Sequence, residues 1–459
     1  MAVSGERGAS MRVLLLTREY PPHVYGGAGV VVDHLSRALA GRAAVEVRCF
    51  GDARRSEPGL RVNGYPAWAE LSGSRPAGSK GDVPWPETGE ARYAPALEAL
   101  STDLLMARDH VDADVVHSHT WYVALAGLLV RALFDIPLVV TLHSLEPLRP
   151  WKVEQLGRGH AVSSWAERAA VESADRVIAV SAQMRDDVLA HFSVDAERVR
   201  VIHNGVDAGA FRRTECREAL DRHGIRAPYV LFVGRISEQK GIFHLLEAAA
   251  SLPRDVELVL CASSPDTPEL GARLGAAVAQ LPRVRWLNAM LPREDVVQLY
   301  SHAALFVCPS VYEPFGLINL EAMACGTPVV ASAVGGIREV VVHEETGWLV
   351  PPADPPALAA AMGAALAQPE RAAALGRAGR QRVESQFSWE RIAERTLEVY
   401  REAIAAHRAA SSPVRALTGE SASRSGEARG AAAAPGSSGP GPVRPGRKPR
   451  RGRGSGPRT

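Results

Sequence analysis

The sequence predicts an α/β protein of two doubly wound, Rossmann-like domains facing a central cleft, and three observations carry that expectation. At 459 residues the chain is longer than one ordinary hydrophobic core serves. Short apolar runs alternate with segments of helical periodicity, the pattern of βαβ units. The alternation occurs twice, interrupted by a linker-like stretch over residues 204–228. Two such domains place a ligand between the carboxyl ends of their strands.

Taken in order, residues 1–10 read as a disordered extension, with Met11 an alternative start. Residues 12–17 form a first buried strand, and a loop rich in Pro and Gly follows over 19–29. Residues 30–39 carry helical periodicity and 45–50 a second strand, which completes a βαβ opening. Residues 51–92, with Gly, Pro and Trp, read as loop along the domain edge. Strands at 115–117, 138–141, 177–180 and 199–202 close a first domain spanning 11–208. The second, 209–385, has strands at 229–233, 256–260, 284–287, 305–308 and 328–331. Helical pattern then runs from 355 to 407 with a break near Phe387-Ser388-Trp389, which sets residues 386–408 apart as a last helix. Asp354 before Pro355 fits an N-cap with proline in the first turn.

Composition narrows the function classes. Apolar residues make up 46% and charged residues 23%, a globular profile. Of the net charge of +2, residues 409–459 contribute +8 (nine Arg and one Lys against two Glu) and the rest −6. That basic end, made of Ser, Gly, Pro, Ala and Arg, cannot supply a core and reads as a disordered, solubilising tail in preference to a nucleic-acid contact. Cys49, Cys216, Cys261, Cys308 and Cys325 lie far apart with no CxxC pair, which argues for a reducing compartment and against zinc or a disulfide frame. No apolar stretch reaches the length of a bilayer span and no signal peptide is legible, so a cytoplasmic protein is expected. Only Lys80, Lys152, Lys240 and Lys448 are lysines, so each draws interest for its compact ammonium.

Four constellations suggest chemistry. After the apolar run 304–308, a loop carries Glu313, and Gly316 opens a helix through Glu321 and Met323 that closes near Gly326-Thr327-Pro328. Amides at such a helix start bind anions, and carboxylates accept hydrogen bonds from sugar hydroxyls. Gly234-Arg235-Ile236-Ser237-Glu238-Gln239-Lys240-Gly241 follows a strong strand and sets two cations where a diphosphate leaving group needs them. His117-Ser118-His119-Thr120 and Thr141-Leu142-His143-Ser144 end neighbouring strands; a metal site is set aside for want of a matching Asp, Glu or Cys, and hydrogen bonds to sugar hydroxyls are preferred. Gly26-Gly27-Ala28-Gly29 lacks the G-x-G-x-x-G spacing and comes too late after its strand for NAD, so close backbone approach to a ligand is the better use of it.

These residues resemble the retaining glycosyltransferases of the GT-B fold, in the family-four class that uses nucleotide-activated sugars. The likeness rests on the E-x7-E pair Glu313 and Glu321, the cations Arg235 and Lys240, and the glycine loop Tyr25-Gly26-Gly27, and it covers nearly all of residues 11–405. Thr17-Arg18-Glu19-Tyr20-Pro21-Pro22 and His117-Ser118-His119-Thr120-Trp121 look more narrowly like the actinobacterial-type glycogen synthases, some of which are maltose-1-phosphate synthases. Val24 stands where the other bacterial glycogen synthases carry Lys, which places the chain outside that group and leaves its acceptor open. The resemblance implies a metal-independent, cofactor-free α-1,4-glucosyltransferase using ADP-glucose, with a glucan end or glucose 1-phosphate as acceptor and a homodimer permitted. It also implies that the last helix, 386–408, crosses back onto the first domain. His143, Arg235, Lys240 and Glu313 would be catalytic, while Gly26, Gly27, Gly316, Leu317, Ile318 and Glu321 would bind the donor. Tyr25, His117 and His119 would meet the acceptor. A different family-four donor, a sugar-nucleotide epimerase and a protein binding through its basic tail are the competing readings.

Overall fold

The computed structural model describes residues 11–24, 26–68, 93–226, 228–263 and 265–411. The expected extension at 1–10 and all but the first three residues of the expected tail lie outside these. Strands β1 (Arg12–Thr17), β2 (Ala44–Phe50), β3 (Arg54–Glu57), β4 (Leu60–Tyr65), β5 (Val115–His119), β6 (Leu138–Leu142), β7 (Arg176–Ala179) and β8 (Val199–Val201) form the first sheet. Its order is β3-β4-β2-β1-β5-β6-β7-β8, parallel throughout except for the antiparallel pair β3 and β4. The second sheet, all parallel, joins β9 (Tyr229–Arg235), β10 (Glu257–Ser263), β11 (Val284–Leu287), β12 (Leu305–Cys308), β13 (Val329–Ser332) and β14 (Trp348–Val350) in the order β11-β10-β9-β12-β13-β14. Both orders reverse once, between β1 and β5 and between β9 and β12, and crevices for ligands open at such reversals.

Burial explains why these runs are apolar on both faces. In the first sheet Leu14, Leu16, Val116, Val140 and Leu142 join one core. Their neighbours Val13, Leu15, Val115 and Val139 join another, with Val31 and Leu35 of the helix Gly27–Ala40. That second core is completed by Trp389, Ile392, Leu397 and Tyr400 from the helix Trp389–Ser411, so the chain end does return to the first sheet. Fully burying one such side chain stabilises by roughly 1.5–3 kcal/mol. Asp354 caps the helix Pro355–Ala367 by accepting from the Ala357 amide at 2.9 Å.

Four elements differ from the sequence reading. The expected edge loop contains β3 and β4, of which β4 buries Leu60 and Val62 beside β2 and β3 carries charged residues typical of a sheet edge. The three-residue β14 is too short to read as a run. The linker-like stretch holds a one-turn helix, Glu218–Arg222, and the helical end breaks a second time at Gln368 before the helix Pro369–Gln386. Among the described residues no helix is long and apolar enough to cross a membrane.

Candidate active site

The loops after β9 and β12 are stitched together by main-chain bonds, the Val311 amide donating to the Gln239 carbonyl at 2.8 Å. Gly241 permits this approach: its φ is +65°, and a Cβ there would sit 2.0 Å from the Pro309 carbonyl oxygen. The outcome is a direct contact between Lys240 Nζ and Glu313 Oε2 at 2.6 Å, with both side chains nearly buried. Burial pulls the Lys240 pKa down, and the Glu313 carboxylate more than reverses that, leaving it above its ordinary value. Ser310 Oγ lies 3.5 Å from the same carboxylate oxygen.

Glu313 leads into the helix Leu317–Ala324, capped by Gly316 at φ +102° in the left-handed region. The amides of Leu317 and Ile318 therefore fall in the first turn, where no carbonyl precedes them to accept, and they point their partial positive charge out of the helix start. Glu321, one turn on, accepts from Tyr300 Oη at 3.1 Å. Burial pushes its carboxyl up to about 7. Arg235, at the end of β9, bonds Asp266 at 3.0 Å and is 40% exposed, so it remains reachable at the rim.

The opposite wall comes from the first sheet. Gly26 is held by its amide donating to Glu19 Oε2 at 2.8 Å. A Cβ on Gly27 would lie 3.0 Å from Leu317 Cδ1, so the glycine loop meets the helix start. Tyr25 lies outside the described residues. The Leu145 amide lies 3.4 Å from Tyr312 Oη and Ser181 Oγ donates to the Pro314 carbonyl at 2.9 Å, which closes the loops after β6 and β7 onto the Glu313 loop.

The histidines divide. His143 Nε2 pairs with His119 Nδ1 at 3.0 Å. Burial lowers His143 to about 4 and His119 well below its ordinary value, so both imidazoles are neutral near pH 7. His119 Nε2 is buried with no hydrogen-bond partner, and Thr120 beside it adopts φ +70°, a costly conformation for a branched residue. His117 instead lies wholly inside, with Nδ1 bonded to Tyr400 Oη and Nε2 to Thr141 Oγ1, each at 2.7 Å. In this arrangement both its ring nitrogens are bonded within the fold, and it joins the C-terminal helix to the first sheet. Among the described residues no group of three or more His, Cys, Asp or Glu is placed to hold a metal ion.

Sequence reasoning missed Asp266, Tyr300 and Tyr312 as partners of this site. Asp266 and Tyr300 stand 31 and 21 residues from the groups they meet, so no local spacing marks them. The segment after His143, with Arg149 and Lys152, was legible only through the scarcity of lysine.

Comparison with known proteins agrees with this geometry. Residues 218–382 match the family model of glycosyl transferases group 1, and residues 25–209 match that of glycosyltransferase family 4. The chain is 47% identical to an α-maltose-1-phosphate synthase of Mycolicibacterium smegmatis, over 86% of this chain and 100% of that one. It is 34% identical to a glycogen synthase of Mycobacterium tuberculosis, over 85% of this chain and 94% of that one. A sucrose-phosphate synthase from Thermosynechococcus elongatus superposes with a TM-score of 0.69 at 29% identity, covering 86% of this chain and all of the other. With both Rossmann-like halves matched and its relatives aligned along nearly their whole length, the chain belongs to the family-four glycosyltransferases of GT-B fold.

Proposed function

We propose that the chain is a retaining α-1,4-glucosyltransferase of α-glucan synthesis, with ADP-glucose as donor and glucose 1-phosphate as preferred acceptor, giving maltose 1-phosphate. The observation that carries the reading is the Lys240–Glu313 pair set beside the start of the helix Leu317–Ala324. Lys240, Arg235 and the amides of Leu317 and Ile318 offset the charge that gathers on a departing diphosphate. Glu313 accepts from hydroxyls of the transferred glucose, Glu321 from the ribose, and neutral His143 bonds the glucose near its 6-hydroxyl. The acceptor 4-hydroxyl oxygen bonds to glucose C1 on the face from which the C1–O bond to ADP breaks. The electron pair leaves on the diphosphate, which also takes the hydroxyl proton. Two cations at the leaving group make turnover independent of added metal. Glucose 1-phosphate is placed ahead of a glucan end because the maltose-1-phosphate synthase relative is the nearer one, 47% against 34%.

The test is ADP release across ADP-glucose, UDP-glucose and GDP-mannose as donors, with glucose 1-phosphate, glycogen or no acceptor, each with and without EDTA. ADP release that requires ADP-glucose and is fastest with glucose 1-phosphate is expected; an epimerised nucleotide sugar without acceptor would sink the reading. Lys240→Ala and Glu313→Gln should each lower turnover by about two to three orders of magnitude in folded protein.

A further inference from the structure

We propose that His119 is a positioning residue: its Nδ1–H donates to His143 Nε2 and so fixes His143 as the tautomer with its own proton on Nδ1. The proposal rests on the reading of His143 as a contact of the transferred sugar. Strand pairing brings the two rings together. In the parallel register of β5 and β6, His119 lies opposite Thr141, and His143 stands two residues further on. Side chains two apart leave a strand on the same face, so both imidazoles emerge on one side of the sheet at its carboxyl edge. Their nitrogens are 3.0 Å apart, their centroids 5.4 Å apart, and their planes differ by 19°. Those three values put the rings edge to edge in nearly one plane, where an N–H of one ring points along the lone pair of the other.

That bond holds one proton, which the heavy atoms alone would allow on either nitrogen. The far side of His119 settles where it sits. His119 is 0% exposed, and its Nε2 is buried with no hydrogen-bond partner. If His143 donated from Nε2, a neutral His119 would carry its proton on its own Nε2, as an N–H buried without an acceptor. With the proton on Nδ1, His119 donates to His143 and leaves only a lone pair unmet. Native interiors rarely strand a buried N–H, so the fold selects the second arrangement. Burial holds His143 at about 4 and His119 well below its ordinary value, so each ring keeps a single proton at neutral pH.

The surroundings keep His119 in that role. His117, two residues back on β5, packs its ring against His119 at 4.1 Å and is itself fixed at both nitrogens by Tyr400 and Thr141. Thr120, next in the chain, is held at φ +70°, a conformation that a branched residue adopts only where its surroundings impose it. With His143 Nε2 taken by His119, a sugar hydroxyl can bond this imidazole only through Nδ1. The tautomer makes that nitrogen a donor, so the hydroxyl oxygen accepts from it. A histidine side chain free in water favours the Nε2–H form, and His119 therefore holds His143 in the less common one.

The experiment has two arms, both on the full chain. Proton–nitrogen correlation spectra of protein labelled at the histidine ring nitrogens read each tautomer directly, with His119→Asn and His143→Ala giving the assignments. A protonated Nδ1 and a bare Nε2 are expected in both rings; a proton on His143 Nε2, or a doubly protonated ring, overturns the proposal whatever the activity. The second arm measures kcat/KM for ADP-glucose, with the acceptor that wild type uses fastest, in His119→Leu, His119→Asn, His143→Ala and the double variant His119→Leu/His143→Ala. The Asn amide places an N–H near the Nδ1 position, and Leu places none. His119→Leu should lower kcat/KM about tenfold and His119→Asn by about threefold at most, and the Leu change should add nothing to His143→Ala. Equal losses in Leu and Asn, or a further loss in the double variant, would make His119 a packing residue only and overturn the proposal. If His143→Ala is impaired while both His119 variants match wild type, the positioning role falls and the sugar contact stands. If His143→Ala turns over as wild type does, the sugar contact falls and takes the positioning role with it.

Discussion

Buried polar side chains in this molecule carry two kinds of information, and Glu167 shows how to separate them. It is 3% exposed, accepts from the Glu146 amide at 2.9 Å, and is pushed up to about 8, first by burial and then by the Glu146 carboxylate. The folded state therefore keeps a proton that the unfolded chain releases from about pH 4.5 upward. In that window the native state binds more protons than the unfolded state, so this residue makes stability fall as pH rises toward 8. At about 1.4 kcal/mol per pKa unit, the effect is on the order of 3–5 kcal/mol once pH passes 8. Glu167→Gln keeps the acceptor oxygen and removes the titration. Urea midpoints at pH 5, 6.5 and 8 should fall less steeply in the variant than in wild type; parallel curves would show that burial has not raised the pKa. Lys240 and Glu313 are the contrasting case, since each is satisfied by the other and both occupy the site itself. A pair of that kind is weak evidence of stabilisation, because two buried charges rarely add stability over an apolar pair.

Among the elements, the helix Trp389–Ser411 ties residues remote in sequence into one core. Tyr400 reaches His117 at 2.7 Å from 283 positions away, and both are wholly buried. Tyr400→Phe removes one partner of a buried imidazole and should cost about 1–3 kcal/mol. Thermal unfolding reads that loss, and the acceptor KM should stay unchanged; a raised acceptor KM with an unchanged melting temperature would return His117 to the ligand side. The same helix shows what the sequence discloses. Its periodicity was legible in the residues, whereas its return to the first domain was expected only through the family resemblance, since an apolar stripe says that it is covered and not by what. The destination of each side chain was not: His117 and His119 lie two positions apart on one strand, and only the tertiary fold gives one to Tyr400 and the other to His143. Strands with long apolar runs were read within a residue or two at most ends, whereas β3, β4 and β14 were hidden by charge or brevity. In the site, motifs at strand ends were visible as spacings; partners such as Asp266 and Tyr300 were not, since they arrive from other elements.

At the scale of the whole molecule, the two halves meet through a staple as well as through the cleft loops. Glu339, on the short helix Ile337–Val340 of the second half, accepts from the Ala182 amide at 2.8 Å and pairs with His203 Nε2 at 2.8 Å. Ala182 is the first residue of a helix in the first half, Ala182–His191, so a carboxylate of one half sits on the helix start of the other. Ser181, the N-cap of that helix, reaches the Pro314 carbonyl beside Glu313. The staple therefore joins the loop after β7 to the Glu313 loop and to the helix Ile337–Val340, and any opening of the cleft has to break it. Burial alone would raise the Glu339 pKa, but His203 and the amides at the helix start outweigh it and leave the carboxyl below its ordinary value. Charge-assisted hydrogen bonds of this type contribute about 1.5–3 kcal/mol, so losing them shifts an open–closed ratio by about tenfold or more. Glu339→Ala should raise the radius of gyration of the ligand-free protein in small-angle scattering. It should also raise the KM for ADP-glucose, because donor binding must then draw on a smaller closed fraction. Saturating ADP-glucose should restore the wild-type scattering curve, since the ligand supplies across the cleft what the staple no longer does. A variant with unchanged scattering and unchanged KM would mean that the cleft loops alone fix the arrangement of the halves.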